Sequence, residues 1–226
     1  MKELYSQSYF TANGYGIDHK RARMQIEEAR RLAVRLKASA FSSGCVLDVG
    51  CGIGDFLANH FSGWRKYGVE ISDYAAEQAR QRGVTVKPYE VAYDYEPETF
   101  DLVIFRGTIQ HLDRPFEALQ TVTRLLRYDG LLAFLATPDA GGLVYRLWQD
   151  LPALDDRRNF WIPSAKTLTN TLVNLGYRDI EVIHPYRDTP YAEPLRNGRD
   201  FLLRCLGVKR KFAFPGNAME IFAWKR

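Results

Sequence analysis

Apolar residues along the chain fall into two patterns. Short continuous runs predict buried strands. Longer stretches with apolar residues at every third or fourth position predict amphipathic helices. The runs lie at Cys45–Val49, Tyr67–Ser72, Val84–Lys87, Phe100–Phe105, Leu131–Ala136, Asp179–Ile183 and Asn217–Trp224. Helical spacing covers Asp18–Phe41, where Met24, Ile26, Ala29, Leu32, Ala33, Leu36 and Ala40 recur. Further helices are predicted from Asp55 through Phe61, over Asp73–Arg80, Pro115–Leu126 and Gly141–Leu151, from Ser164 to Gly176, and within 191–207. Asp73 reads as a helix start, Ser164 as a cap, and Thr11-Ala12-Asn13-Gly14 and Arg127–Gly130 as turns. Strand and helix alternate, so the fold class is α/β: a doubly wound, mostly parallel sheet with helices on both faces.

The most informative stretch is Val46–Phe56, VLDVGCGIGDF. A buried strand ends in glycines at alternate positions, Gly50, Gly52 and Gly54, and a helix begins at Asp55. Glycine is needed where φ is positive or where a ligand touches bare backbone. Such a turn at the carboxyl end of a parallel strand is the usual nucleotide position in an open α/β sheet. The spacing is G-x-G-x-G, with Asp48 two residues ahead. A dinucleotide fingerprint would need glycine at Asp55, and no Lys-Ser/Thr pair follows to make a phosphate loop. Glu70 closes the second strand, 20 residues beyond Gly50. An acid at that place can accept both hydroxyls of a ribose, and Ile71 would then lie on the adenine face.

D-V-G-C-G-I-G-D resembles the first motif of class I methyltransferases that use S-adenosylmethionine (SAM). The resemblance covers roughly residues 40–185. It implies a Rossmann-like, seven-stranded sheet in the order 3-2-1-4-5-7-6 with the last strand antiparallel, and SAM as cofactor. It implies a SAM site built from Asp48, Gly50, Cys51, Gly52, Gly54, Glu70 and Ile71, with Phe105, Arg106 and Gly107 bordering the methionine half. The Phe100–Pro115 stretch resembles the family's "fDvv…leHl.dP" loop and puts His111 near the transferred methyl. There it would serve either as general base or as a structural cap on the loop, and Asp113 is a candidate to orient it. Family members often carry an acid after the third strand to accept from the adenine amino group. Here Tyr89 and Glu90 hold that place, a departure in which Tyr89 would cover the base and Glu90 supply the acceptor. An N-terminal tyrosine often closes over the cofactor, and Tyr9 or Tyr15 would be in position.

Thr137–Leu168 resembles a segment of bacterial methyltransferases encoded with glycan-synthesis genes, although Asn159 stands at the family's His position. With Trp148, Phe160 and Trp161 as stacking platforms, or else as lid core, it suggests a hydroxyl of a sugar or glycan-linked metabolite as acceptor. A small aromatic or quinone-like hydroxyl is the alternative acceptor. A SAM-binding partner protein without activity and a nicotinamide oxidoreductase are the rival classes.

Bulk properties narrow this reading. The chain has 226 residues and is 46% apolar, enough for one domain, 1–226. Residues 1–41 would form an N-terminal flap and helix, and 139–163 and 185–216 substrate-side insertions. No apolar run reaches the ~18 residues of a membrane span, and the N-terminus has no secretory pattern. Cys45, Cys51 and Cys205 make no metal or disulfide spacing, which fits a reduced cytoplasm. Cys51 reads as a small filler. The net charge of +4 is too mild to argue for nucleic acid. Lys209-Arg210-Lys211 reads as a solvated helix end, or else as a weak membrane-surface or anionic-ligand contact.

Overall fold

The computed structural model describes residues 2–12, 18–36, 43–88, 94–152, 154 and 157–226. In chain order these give α1 (Gln7–Ala12), α2 (His19–Arg35), β1 (Cys45–Val49), α3 (Asp55–His60) and β2 (Arg65–Glu70). Then follow α4 (Asp73–Gln81), β3 (Thr85–Pro88), β4 (Phe100–Arg106), α5 (Pro115–Leu125) and β5 (Leu126–Pro138). The chain closes with α6 (Leu143–Trp148), α7 (Ala165–Asn174), β6 (Tyr177–Ile183), α8 (Pro194–Cys205) and β7 (Ala218–Lys225). One seven-stranded sheet runs β3-β2-β1-β4-β5-β7-β6. Its first five strands are parallel, and β7 lies antiparallel between β5 and β6. This is the Rossmann-like order expected from the motif.

Alternation along β4 shows why the sheet is covered twice. Phe100, Val103 and Phe105 enter the apolar layer beneath α5 and α7. Leu102 and Ile104 enter the opposite layer, with Ala29 and Leu32 of α2 and Phe56 and Leu57 of α3. Successive side chains on a strand point to opposite faces, so a strand buried on both faces needs no polar positions. Helix α2 is also held by charge. Buried Glu28 pairs with Arg106 at 2.6 Å, and Arg31 grips buried Glu220 through two nitrogens at 2.6 Å each. Removing one partner of a buried pair typically costs 3–5 kcal/mol, so these pairs fix α2 against the sheet.

Several boundaries differ from expectation for local reasons. Asp18 is the cap of α2, accepting from Lys20 N at 2.8 Å, and the described helix ends at Arg35. Ser72 rather than Asp73 caps α4, accepting from Ala75 N. Thr11 and Ala12 end α1 rather than making a turn, while Asn13 and Gly14 lie outside the described residues. The expected turn at Arg127–Gly130 is an irregular stretch inside β5. Pairing jumps from Phe100–Leu126 to Leu102–Leu131, and Asp129 takes φ 59°. Helix α6 is shorter than Gly141–Leu151 because Gln149 turns left-handed, at φ 52°.

Candidate active site

β1 stops at Val49 because the next residues leave the extended region. Gly50, Gly52 and Gly54 have φ of 81°, 55° and 76°, conformations open to glycine. The turn is folded tightly onto β2: Gly50 N and Cys51 N both donate to Val69 O, at 2.8 and 3.1 Å. A Cβ on Gly50 would stand 2.5 Å from the Thr108 side chain. Gly54 has a different task. It precedes α3, and a Cβ there would meet Ala79 at 2.8 Å, so it allows close helix packing and does not line the cleft. Cys51 is buried with its sulfur against Gly68, where a Cβ would be 2.4 Å away. Burial pushes its thiol well above the usual range, with Glu70 and Asp48 adding to the effect. That fits a filler and not a nucleophile.

Beside the turn lies a cleft of about 310 Å³ at the carboxyl ends of β1, β2 and β4. Of the expected site residues, Asp48, Gly50, Cys51, Gly52, Glu70, Ile71, Arg106, Gly107 and His111 line it. Phe105 does not. It is fully buried and stacks on Phe134 at 5.4 Å, because strand alternation turns it away from its neighbour Arg106. Tyr89, Glu90 and Tyr15 lie outside the described residues. Residues not foreseen as site residues also line the cleft, among them Tyr5, Phe10, Asp55, Phe56 and Thr108.

Two of the acids lining the cleft, Asp48 and Glu70, are buried. Glu70 accepts from Gly52 N at 2.9 Å through one oxygen and from Ser72 N at 2.8 Å through the other. A carboxylate offers about four lone-pair directions, so capacity remains for a ligand after the backbone is served. Burial raises the Glu70 pKa, opposed by the Ser72, Gly52 and Ile71 amides. Asp48 is pushed up to about 7, chiefly by burial, with Arg106 pulling down and Asp55, Glu70 and Glu28 pushing up. Its Oδ1 is buried without a hydrogen-bond partner. An acid left this way suits a cationic group brought by a ligand. With the bare turn and the free lone pairs of Glu70, the cleft fits the amino-acid end and the ribose of SAM.

The N-terminus forms the outer wall. Phe10 is buried against Ile53 and Ala75, and Ser72 Oγ donates to Tyr5 O at 2.6 Å. Tyr9 lines the cleft and stands edge-on to Tyr5 at 5.3 Å. The Arg158 guanidinium lies 4.2 Å from the Tyr9 ring centre.

His111 ends a short 3-10 turn, Ile109–His111. Its Nδ1 lies 2.9 Å from the Arg158 carbonyl oxygen. A carbonyl only accepts, so Nδ1 carries the proton. Nε2 is then left as an acceptor, and Gln110 Nε2 approaches it at 3.2 Å. A second cavity, of about 190 Å³, shares Arg106, Gly107 and His111 with the cleft. Its other walls include Met24, Pro138, Tyr186, Tyr191 and Phe214. Asp139 braces this side. It accepts from Gly141 N at 2.7 Å and Ala165 N at 3.1 Å, and meets His184 Nε2 at 2.8 Å. The three aromatics singled out in the sequence do not line either cavity. Trp148 packs on Phe201 and Phe212, Trp161 packs on Phe116 and donates to Ile109 O, and Phe160 is exposed.

Comparison with known proteins agrees with this fold. Residues 18–182 match a family model described as a methyltransferase domain. A tRNA U34 carboxymethyltransferase from Idiomarina loihiensis is 29% identical over 151 residues, 61% of this chain and 46% of that protein. The chain thus spans less than half of that relative. A malonyl-[acyl-carrier protein] O-methyltransferase from a Paenibacillus species is 23% identical over 215 residues, 85% of this chain and 75% of that one. Among solved structures, a SAM-dependent methyltransferase from Thermotoga maritima, a possible histamine N-methyltransferase, superposes with a TM-score of 0.60 at 20% identity. The match covers 90% of this chain and 98% of that one. Phosphoethanolamine N-methyltransferase 2 of Haemonchus contortus, solved with SAM, gives 0.60 at 19% identity, over 87% of this chain and 52% of that one.

Proposed function

The chain belongs to the methyltransferase-domain family of SAM-dependent enzymes, and we propose that it methylates a hydroxyl of a small acceptor bound in the second cavity, with SAM in the Gly50–Gly54 cleft. The observation that carries this reading is the shared wall: Arg106, Gly107 and His111 border both spaces. Bound SAM supplies an electrophilic methyl on a sulfonium. The chain supplies position and a proton acceptor. Glu70 takes the ribose hydroxyls, Asp48 the ammonium, and Tyr9 closes the outer side as the N-terminal flap. Once the acceptor hydroxyl displaces the Gln110 amide, His111 Nε2 receives that hydroxyl's proton, while the Arg158 carbonyl holds Nδ1–H and keeps the ring in that tautomer. General-base assistance of this kind contributes roughly 10²–10⁴-fold.

The lining of the second cavity favours a flat, mostly apolar acceptor. Met24, Pro138, Tyr186, Tyr191 and Phe214 offer packing surface. Of the three aromatics that, with the Thr137–Leu168 likeness, suggest a sugar, Trp148 and Trp161 are occupied elsewhere and Phe160 is exposed outside the cavity. A phenolic proton, with a pKa near 10, is also within easier reach of an imidazole than a sugar hydroxyl. The test is release of S-adenosylhomocysteine with phenols, hydroxyquinones, free sugars and bulk tRNA as acceptors. Turnover is expected with the phenolic group. Turnover confined to sugars or to tRNA would overturn the acceptor assignment.

Asp48 gives a pH prediction. Its pKa of about 7 lies above the ordinary carboxylate value of 3.8. Its stabilising contribution to the free protein is therefore full below about 4 and lost as the pH rises through 7. A ligand ammonium pulls the other way and favours the carboxylate. Binding of SAM at pH 7, where Asp48 is about half protonated, is expected to release up to about half a proton, measured by calorimetry in buffers of different ionisation enthalpy. The release should vanish in Asp48→Asn. An identical release in that variant would remove Asp48 from the ammonium.

A further inference from the structure

Helix α8 carries its residues inside out. Asn197 and Asp200 face the protein, 5% and 4% exposed, while Leu195, Leu202 and Leu206 are 94%, 64% and 81% exposed. The inward polar residues have work there. Asn197 Nδ2 donates to Tyr186 Oη and to Tyr191 O, at 3.0 Å each, and Asp200 meets Arg199 at 2.9 Å. The outward leucines have no such account. Spacings of seven and four put Leu195, Leu202 and Leu206 on one stripe of the surface. An ordinary surface helix shows the reverse arrangement. Helix α6 meets α8 through Trp148 and Phe201, 5.7 Å apart, and carries exposed Leu143 and Leu147 of its own.

Charge identifies the occupant. Residues 194–211 hold six basic side chains (Arg196, Arg199, Arg204, Lys209, Arg210, Lys211) and one acid (Asp200). That balance is +5, against +4 for the whole chain, so the remainder is close to neutral. Arg204 turns inward toward Asp150, which Lys211 also meets, so the outward cations are Arg196, Arg199, Lys209 and Arg210. Exposed leucines beside these cations make an interfacial element: the leucines enter the headgroup boundary and the cations meet lipid phosphates. RNA would use the cations but gives a leucine stripe nothing to bury against. No helix among the described residues is long and apolar enough to cross a membrane, so the contact is with the surface.

We propose that α8 and the following Leu206–Lys211 segment dock the protein on anionic lipid bilayers. The inner side of α8 backs onto the second cavity. Phe201 of α8 stacks at 4.9 Å on Phe214, which lines the cavity. The docked enzyme would therefore hold that cavity next to the lipid surface. The inference does not depend on the acceptor class argued above.

The test is co-sedimentation of the full chain with phosphatidylcholine vesicles, with and without about one third phosphatidylglycerol, at low and high salt. Binding is expected only to the anionic vesicles and should weaken several-fold at high salt. Leu202→Ser with Leu206→Ser, and separately Lys209→Glu with Arg210→Glu and Lys211→Glu, should each lower partitioning at least tenfold. Unchanged thermal melting would show that these exposed sites leave the fold intact. Four results would overturn the proposal. One is no binding to anionic vesicles, and another is equal binding to neutral ones. A third is full binding by the leucine variant. The last is a face whose substitution disrupts tRNA binding or self-association while vesicles are ignored.

Discussion

Replacing His111 by alanine is expected to lower kcat by about 10²–10⁴-fold, the usual contribution of a positioned general base, while the affinity for SAM changes less than threefold. The split follows from where the ring sits. His111 borders the cleft, and its ring nitrogens meet the Arg158 carbonyl and Gln110, not the Glu70 or Asp48 side chains. Its loss removes the proton acceptor and leaves Glu70, Asp48 and the glycine turn intact. Equilibrium binding and single-turnover rates on the same preparation separate the two effects. Turnover within threefold of the parent would assign catalysis to positioning alone. A parallel collapse of SAM affinity would make His111 a structural member of the loop.

Glu70→Ala is expected to act on the other half of the reaction, weakening SAM binding by roughly 10²–10⁴-fold. A hydrogen bond to a charged group contributes about 1.5–3 kcal/mol, and the proposal gives Glu70 two of them from the ribose. The structure adds a second consequence. Glu70 also braces the turn through Gly52 N and Ser72 N. The variant should therefore melt a few degrees lower, with Gly50–Gly54 loosened but the sheet retained. Glu70→Asp keeps the charge on a shorter stem and should recover part of the affinity. An unchanged dissociation constant in Glu70→Ala would take the ribose away from this carboxylate.

The sheet was legible because its signals are local. Each strand is a short apolar run, the turn after β1 is spelled by glycines at fixed spacing, and Glu70 follows at the distance one helix and one strand impose. Glu70 and His111 could be placed at the cleft for that reason: each sits at or just beyond the end of a strand whose position the pattern dictates. What stayed hidden depends on distant pairing. Arg158, whose carbonyl sets the tautomer of His111, is 47 residues away from it, and Glu28, which holds Arg106, is 78 residues away. Neither shows a local motif. The second cavity draws on α2 and on residues 185–218, where expected insertions converge only in three dimensions. Phe105 is the instructive miss. The motif placed it with Arg106 and Gly107, but strand alternation sends it into the core. Gly54 was read as touching the cofactor, although its freedom serves the packing of α3 on α4.

The most direct test is a crystal structure with S-adenosylhomocysteine and an accepted hydroxyl compound. The account predicts both ribose hydroxyls on Glu70 and the amino group at Asp48. The thioether sulfur should point past Gly107 toward an acceptor hydroxyl within about 3 Å of His111 Nε2. Adenosine bound away from the Gly50–Gly54 turn, or an acceptor lodged on the far side of the sheet from His111, would contradict it.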